Sequence, residues 1–419
     1  MKQLCVLACL ACAGLGSPAG AAAQNLVISN ARIIVGNGTV IESGMVVVRN
    51  GRIASVGAAT AAPAGARQID GRGLTLMPGF IDGHRHIIGG NADQWLNGQA
   101  TQRMQEFLEA GYTTLLAGGG PAEGNLELKR RIDSGQLKGP RVIPAGAVNL
   151  NMGTPEQARA ELRRLVALGI RFIGEEAINP KPPTPTQLDN LKAIVDESKK
   201  AGALVMVHAV SPQAMLAAVD AGVPLLVHTP HFGWLTDEDA RKVAAAGVLN
   251  LSCLAFGVPV FDVFNRDNVP TFRDGKKWPD DIIDGEGRGR EAGYKAVNAR
   301  TLLDNGVVFG FGTDTGYLPL KGLAQELKAL NLMLSMKDIV KVMGPNTAAF
   351  VQMSGDIGTL EPGKLADIVA FPANPLDGYW NMLNAALVVK GGEVVIDKRG
   401  AKPLDSARGN PLDSARGKR

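Results

Sequence analysis

The chain of 419 residues is poor in the residue types that mark several protein classes. It holds only five His and four Cys, and its formal net charge is +4. So small a charge argues against a strongly basic nucleic-acid-binding protein, and an apolar content of 45% argues against a disordered chain. A chain of this length can bury a substantial core without disulfide bonds. The five histidines are therefore the residues most useful for locating a functional site.

Residues 1–23 have the pattern of a cleaved signal peptide. Lys2 precedes an apolar run from Leu4 to Leu15, and three alanines at 21–23 supply the small residues typical of a cleavage site. The run is shorter than the roughly 20 residues that cross a bilayer, and no later segment is apolar for long enough. We therefore expect a protein that is exported to a bacterial periplasm or secreted, with no membrane span.

Three of the four cysteines, Cys5, Cys9 and Cys12, belong to this first segment, which leaves Cys253 as a predicted buried thiol. At the other end, residues 403–409 recur as 411–417, within a polar segment 401–419 that is predicted to be a disordered repeat tail. That tail holds five basic and two acidic residues, and with Lys2 it accounts for the whole positive surplus. The charge thus indicates no nucleic-acid partner.

Short β-rich runs lie at both ends of the remaining chain. Residues 24–77 contain three of them and an Asn50-Gly51 hairpin signal, and residues 355–400 contain three more. The pattern predicts one small β-sandwich assembled from the two chain ends. The predicted strands are Leu26–Val35, Met45–Arg49, Arg52–Val56, Asp367–Phe371, Ala386–Lys390 and Glu393–Ile396.

Residues 78–354 alternate short apolar runs with helix-like stretches. The eight runs are Phe80–Ile81, Thr113–Leu116, Val142–Ile143, Ile170–Ile173, Leu204–Val207, Leu225–Val227, Val248–Leu251 and Val307–Phe311. Eight such units favour an α/β fold of the (β/α)8 TIM-barrel type, whereas an open doubly wound sheet would show four or five. The sequence therefore predicts a barrel with a small β-sandwich beside it.

All five histidines fall within the predicted barrel, and four of them stand at strand ends. His84 and His86 are two residues apart, so on a strand their side chains point the same way and can share one ion. His208 and His228 end two later strands, and Asp314 closes the last. Barrel active sites lie at the carboxyl ends of the strands. Together these residues predict a metal site.

The sequence resembles the amidohydrolase superfamily over nearly the whole chain after residue 23. The resemblance is carried by PGFIDGHRH at 78–86, by His208 and His228, by GTD at 312–314 and by GTLEPGKLAD at 358–367. Within the superfamily it is similar to enamidase-like members and to the branch related to imidazolonepropionase and prolidase. It implies a metal-binding barrel with a β-sandwich built from both termini, and a hydrolase of carbon–nitrogen bonds other than peptide bonds.

The resemblance also implies a ligand set for two divalent ions. His84, His86 and Asp314 would hold one ion, and His208 and His228 the other. Zn²⁺ suits these ligands, and Fe²⁺ or Mn²⁺ are alternatives.

Many binuclear members bridge their metals with a carboxylated lysine on the fourth strand, but the corresponding stretch here, RFIGEE at 171–176, has none. Glu175 is the predicted bridge, since Ile-Gly-Glu is similar to the Val-Gly-Glu of enamidase-type members. Strand alternation places Gly174 and Glu176 on the other face, so Glu176 is an alternative bridge. A site for one metal is another alternative.

The implied reaction is attack of a metal-activated hydroxide on a carbonyl group. Asp314 would accept the proton of the water and deliver it to the leaving atom. His231 would hydrogen-bond the substrate, or else is an exposed loop residue, and Arg85 is expected to point away from the metal. Gly118–Gly120 is predicted to be a flexible loop at the mouth, and the insertion 256–300 is either a substrate lid or a packed excursion.

The leading hypothesis is an exported hydrolase of a small-molecule amide, cyclic amide or peptide-like bond. Alternatives are a lactone or ester hydrolase with the same site, an Xaa-Pro-type dipeptidase, and a non-catalytic binding protein. The sequence also allows a homo-oligomer.

Overall fold

The computed structural model describes residues 25–58, 62–151, 153–255, 288–316 and 318–399. The predicted signal peptide 1–23, the predicted tail 401–419 and residues 256–287 of the insertion lie outside the described residues.

Eight parallel strands form a barrel, and each strand pairs with the next one along the chain. They are β6 (Phe80–His86), β7 (Tyr112–Gly119), β8 (Arg141–Gly146), β9 (Phe172–Ala177), β10 (Leu204–His208), β11 (Leu225–Val227), β12 (Leu249–Leu251) and β13 (Val308–Gly310). All eight predicted runs are strands, so the predicted barrel is confirmed. Since the strands are parallel, their carboxyl ends meet at one mouth.

Helices connect these strands along the outside of the barrel. They are α1 (Ala92–Gly98), α2 (Ala100–Glu109), α3 (Ala122–Asp133), α4 (Pro155–Ala167), α5 (Pro185–Ala201), α6 (Pro212–Asp220), α7 (Asp237–Ala245), α8 (Arg288–Asp304), α9 (Pro319–Asn331), α10 (Met336–Lys341) and α11 (Thr347–Phe350), with a π-helical turn at Val342–Asn346. The starts of α4, α5 and α7 are fixed by capping boxes, in which Thr154, Thr184 and Thr236 cap the first turn.

The barrel interior is filled by apolar side chains from consecutive strands. Ile81, Leu116, Met206 and Leu251 are fully buried in one cluster that lies below the mouth. Where the first and last strands meet, the backbone N–H of Gly83 donates to the carbonyl of Phe311 at 2.9 Å. This contact brings β6 beside β13 and closes the ring.

The two chain ends form a second, mixed sheet in the order β16-β15-β14-β5-β1-β2-β3, with β4 paired to β1. Its strands are β1 (Leu26–Ile34), β2 (Val40–Arg49), β3 (Arg52–Gly57), β4 (Arg67–Asp70), β5 (Thr75–Pro78), β14 (Ile368–Phe371), β15 (Leu387–Lys390) and β16 (Glu393–Asp397), and 3₁₀ turns lie at Pro375–Asp377 and Tyr379–Leu383. The predicted β structure from both termini is confirmed, joined as one hydrogen-bonded sheet. In the described residues, no helix has the length and apolarity needed to cross a membrane.

Candidate metal centre

Six side chains from five strands or strand ends converge at the mouth of the barrel. We call them the mouth cluster: His84, His86, Glu175, His208, His228 and Asp314. Their candidate ligand atoms form two groups, one of His84, His86, Glu175 and Asp314 and the other of Glu175, His208 and His228. Within each group the atoms lie within 4.8 Å of one another. The structure thus brings together all six predicted metal ligands.

The first group contains the two histidines of β6. Oδ1 of Asp314 lies 2.9 Å from Nε2 of His86 and 3.2 Å from Nε2 of His84. Oε2 of Glu175 lies 3.2 Å from the same nitrogen of His84. Two imidazole nitrogens and two carboxylate oxygens therefore face one small volume.

The second group uses the other oxygen of the same glutamate. Oε1 of Glu175 lies 2.5 Å from Nδ1 of His208 and 2.7 Å from Nε2 of His228. Because each oxygen of Glu175 faces a different pair of histidines, this carboxylate has the arrangement that a bridging ligand needs.

An irregularity in β9 explains how Glu175 reaches the mouth cluster. Val205 pairs with Ile173 and Val207 pairs with Glu176, so two steps along β10 match three along β9. The extra residue breaks the alternation of side chains. Gly174 has φ +136°, and a Cβ there would overlap the carbonyl oxygen of Met206. Only glycine fits this position.

The same irregularity gives Glu176 a different environment. Its side chain is fully buried, and Oε1 accepts a hydrogen bond from the backbone N–H of Val148 at 2.7 Å. Burial raises the pKa of Glu176 well above its ordinary value. Glu176 belongs to neither ligand group, so the geometry favours Glu175 as the bridge.

Two members of the mouth cluster have left-handed backbone conformations. His228 has φ +78° and Asp314 has φ +47°. Such values cost about 1–3 kcal/mol each for a residue other than glycine, and they turn the side chain away from the direction of the strand. At Asp314 the conformation is held by a hydrogen bond from its N–H to the carbonyl of His84, at 3.0 Å.

The glycines at the end of β7 make room for the two imidazoles of β6. A Cβ at Gly118 would overlap the ring of His84, and one at Gly119 would overlap the ring of His86. Both glycines lie within the strand. The expectation of a flexible loop was therefore wrong for these two residues, which are small because the neighbouring rings occupy the space.

A buried polar network supports the ligands where β6 meets β13. Oδ2 of Asp82 accepts from the hydroxyl of Thr313 at 2.7 Å, and Oδ1 accepts from the N–H groups of Thr313 and His84 at 3.1 and 3.2 Å. Nη1 of Arg85 donates to the Thr313 hydroxyl at 2.9 Å. Its guanidinium also lies over the ring of Phe107, 4.8 Å from the centroid. We call Asp82, Arg85 and Thr313 the seam network.

The negative charges of Glu175 and Asp314 favour a positive charge between these two carboxylates. Burial lowers the pKa of His84, but the negative charges of Glu175 and Asp314 outweigh it, and the pKa is raised well above its ordinary value. Hydrogen bonds with the same two carboxylates raise the pKa of His86 to about 9. By contrast, burial and the charge of His208 lower the pKa of His228 to about 4. Protons or a metal ion can supply the positive charge that the two carboxylates stabilise.

The donor atoms fit a divalent metal. Within the part of the chain that the structure describes, Nε2 of His84 is buried without a hydrogen bond, although a carboxylate oxygen of Glu175 and one of Asp314 each lie 3.2 Å away. Buried polar atoms in this state are costly unless a ligand satisfies them. Imidazole and carboxylate together suit Zn²⁺, Fe²⁺ or Mn²⁺. The cluster is therefore a candidate metal centre.

His231 lies outside both ligand groups. It follows β11 and is buried, which excludes the exposed loop residue considered from the sequence. Burial and the positive charge of Lys295 lower the pKa of His231 to about 3. The imidazole is therefore neutral at physiological pH.

Three buried polar residues that sequence patterns did not reveal hold the loops around the mouth cluster. Lys295 and Asn298, three residues apart on α8, and Glu326 on α9 are all fully buried. Nζ of Lys295 donates to the carbonyl of Leu254 at 3.2 Å, and Glu326 accepts from the N–H groups of Leu254 and Ala255 at 2.9 and 2.8 Å. Their only signal in the sequence is a polar side chain on the apolar face of a helix.

Known proteins resemble the chain in sequence and in structure. Residues 75–395 match the model of the Amidohydrolase family. Imidazolonepropionase of Caldanaerobacter subterraneus subsp. tengcongensis is 23% identical, over 85% of this chain and 91% of that one. 5-Methylthioadenosine/S-adenosylhomocysteine deaminase of Symbiobacterium thermophilum is 25% identical, over 84% of this chain and 86% of that one. A provisionally assigned prolidase from Bifidobacterium longum superposes with a TM-score of 0.74 at 25% identity, covering 90% of this chain and 96% of that one.

Proposed function

The chain belongs to the amidohydrolase family and is a hydrolase of carbon–nitrogen bonds other than peptide bonds, and we propose that it opens a small amide or cyclic amide with the help of two divalent metal ions. The observation that carries the proposal is the position of Glu175, whose two oxygens face two separate groups of histidines at the mouth of the barrel.

In this proposal, His84, His86 and Asp314 would hold one ion, and His208 and His228 would hold the other, with Glu175 belonging to both groups. A divalent cation at such a site polarises a carbonyl group and makes a bound water acidic enough to attack it. Zn²⁺ is the proposed ion, and Fe²⁺ and Mn²⁺ are the alternatives.

Asp314 is the proposed base and acid of the reaction. Its Oδ1 is engaged by His84 and His86, whereas Oδ2 lies 3.4 Å from Nε2 of His228, so Oδ2 is the less tightly held oxygen. This oxygen would take the proton of the attacking water and deliver it to the leaving nitrogen. The backbone hydrogen bond from Asp314 to His84 keeps the carboxylate in place during both transfers.

His231 would bind the substrate carbonyl. A neutral imidazole can donate one hydrogen bond without adding a charge, and the lowered pKa of about 3 keeps this ring neutral. Its role is to orient the carbonyl and to stabilise the charge that develops on its oxygen.

Two narrower activities follow from the relatives. The imidazolonepropionases favour a cyclic amide, and the prolidase neighbour favours an Xaa-Pro dipeptide. A lactone hydrolase would use the same residues with an oxygen leaving group. The family supports a hydrolase over a non-catalytic binding protein.

The test combines metal analysis with a substrate panel. We expect the purified protein to hold up to two equivalents of metal and, once loaded with Zn²⁺, to hydrolyse at least one of a set of lactams, imides, N-acyl amino acids and dipeptides. A protein that stays below one equivalent in the presence of excess Zn²⁺ would contradict the proposal, and activity on lactones alone would replace the amide by an ester.

The matching variant is Asp314→Asn. Because the amide can still coordinate but cannot hold the proton, we expect most of the metal to stay while kcat falls by about 10²–10⁴-fold. Asp196→Asn, at an exposed position on α5, is the control and should change neither quantity. Near-normal turnover in Asp314→Asn would reject the assigned role.

We also propose that residues 1–23 direct export and are removed. Amino-terminal sequencing of the protein recovered from a periplasmic or culture fraction should begin at Gln24. An intact amino terminus in the cytoplasmic fraction would contradict this.

A further inference from the structure

The short loop that follows β11 carries two exposed aromatic side chains beside the mouth cluster. It runs from His228 to Leu235, and it exposes 38% of Phe232 and 55% of Trp234. In the described ranges, the only other exposed Phe or Trp is Trp380, on a 3₁₀ turn that follows β14. Large apolar side chains in water are unfavourable by about 25 cal/mol per Å². Two of them together at an enzyme's mouth therefore need a reason.

The backbone of this loop is fixed by a buried side chain from α8. Oδ1 of Asn298 accepts from the N–H of Leu235, and Nδ2 donates to the carbonyls of Pro230 and Gly233, each at 2.9 Å. A fully buried amide that makes three hydrogen bonds to one loop holds it in a single conformation.

A second attachment comes from the neighbouring strand end. The N–H groups of His231 and Phe232 both donate to the carbonyl of Val210, at 2.8 and 3.0 Å. The loop is thus held from α8 on one side and from the end of β10 on the other. A surface fixed before a ligand arrives loses little conformational entropy on binding.

The two rings are held by neighbours that leave part of each ring open. Trp234 meets Tyr294 edge-on, with ring centroids 4.4 Å apart. Phe232 lies 4.5 Å from the ring of His231, and Nζ of Lys181, from the segment after β9, lies 5.9 Å from its centroid. Phe232 therefore lies between the residue proposed to bind the carbonyl and the segment that follows Glu175.

We propose that Phe232 and Trp234 form a substrate subsite that binds an aromatic or bulky apolar group next to the scissile amide. Rigid aromatic side chains offer large contact areas with few rotatable bonds, and apolar walls with a few placed polar groups are typical of small-molecule sites. The inference rests on the proposed function, since it names the class of amide that the mouth cluster would receive.

The test uses two probes that differ in one group, N-benzoylglycine and N-acetylglycine. Both carry an amide and a carboxylate, so only the aromatic ring distinguishes them. Their dissociation constants are measured by calorimetry on the Zn²⁺-loaded protein, and their hydrolysis is followed separately by the release of glycine. We expect the benzoyl probe to bind at least about tenfold more tightly.

The variants Trp234→Ala and Phe232→Ala should each reduce this preference to about threefold or less. Trp380→Ala is the matched control, because Trp380 is similarly exposed, at 59%, and also packs edge-on against a tyrosine, Tyr379, on the 3₁₀ turn after β14. It should keep the full preference. Trp234→Phe should retain most of the preference for the benzoyl probe. This result would separate a loss of aromatic contact from damage to the loop.

Equal binding of the two probes to the natural protein, including no binding of either, would overturn the subsite. So would an identical loss in Trp234→Ala and Trp380→Ala. A preference in binding without hydrolysis of any amide in the panel would keep the subsite and reject the proposed function, so the two failures are distinguishable.

Discussion

The two halves of the mouth cluster are held in different ways. His84, His86 and Asp314 depend on the seam network, in which Asp82 joins the backbone of β6 to that of the segment after β13. These contacts lie beside the hydrogen bond between Gly83 and Phe311 that closes the barrel. The contacts that position His84, His86 and Asp314 therefore also help to hold the first and last barrel strands together.

The loops beside the other half of the mouth cluster are held by side chains from helices that lie outside the barrel. His228 follows β11, and the loops after β11 and β12 are held by side chains from helices, Asn298 and Lys295 on α8 and Glu326 on α9. A helix can lose one such side chain and keep its packing against the barrel. Damage to the seam network should therefore unfold the protein or release any bound metal, whereas damage to the loops should change how substrate is bound.

The largest effect is expected from Asp82→Ala, which breaks the seam. Removing this carboxylate takes away the negative charge that lies 3.6 Å from the buried Arg85, and should reduce the free energy of unfolding by about 3–5 kcal/mol. Urea unfolding of the metal-loaded protein measures it.

The control for the seam is a carboxylate–arginine pair on the surface. Asp356 lies 2.8 Å from Arg52, and both side chains are at least two-fifths exposed, so Asp356→Ala should cost at most about 1 kcal/mol. If the two variants were equally stable, the seam network would not be what supports this half.

Asn298→Ala should destabilise the loop that follows β11 without releasing bound metal. It leaves the Leu235 N–H and the Pro230 and Gly233 carbonyls without their partner, so we expect a loss of about 2–3 kcal/mol in unfolding free energy. The preference for N-benzoylglycine over N-acetylglycine should fall as well.

Asn190→Ala is the matched variant for that prediction. Asn190 is also fully buried, and it donates to the carbonyl of Leu150 in a different loop, at 3.0 Å. It should lower stability while the preference between the two probes stays the same. A changed preference in Asn190→Ala, or an unchanged one in Asn298→Ala, would remove the distinction between loops.

The smallest effect concerns pH and Glu326. Burial raises the pKa of this carboxyl from 4.5 to about 7, against the opposing hydrogen bonds from Ser252 and from the N–H groups of Ala255 and Leu254. A raised pKa means that the folded protein binds the proton more tightly than the unfolded chain does, so the stability from this group is present at low pH and declines as pH rises towards 7. The decline between pH 5.5 and pH 8 is about 2 kcal/mol.

Glu326→Gln cannot ionise and should lack this decline. The measurement compares the change in unfolding free energy between pH 5.5 and pH 8 for the natural protein and the variant. Parallel changes in the two proteins would show that Glu326 has the same pKa folded and unfolded.

Strand periodicity was enough to predict the barrel. Each of the eight short apolar runs became a strand, because parallel strands covered on both sides need continuous apolar stretches. The small sheet was predicted as well, since Asn50-Gly51 and Gly391-Gly392 supply the tight turns between its hairpin strands.

Side chains at strand ends could be placed from the sequence, but their supports could not. His84, His208 and Asp314 follow apolar runs, which is a local signal. The choice of Glu175 over Glu176 depends on a register shift between β9 and β10, and the roles of Asn298 and Gly118 depend on residues far away in the chain. No local pattern encodes contacts between such distant segments.

The extra residue in β9 changes how many carboxylates one strand can place inside the protein. A regular strand turns one side chain inward for every two residues, about 6.6 Å apart, so neighbouring residues normally serve opposite surfaces. Here two consecutive glutamates, with Cα atoms about 3.8 Å apart, both act inside the protein. Glu175 faces the histidines, and Glu176 braces the start of the loop after β8 through Val148. One inserted residue thus doubles the local density of carboxylates without lengthening the strand.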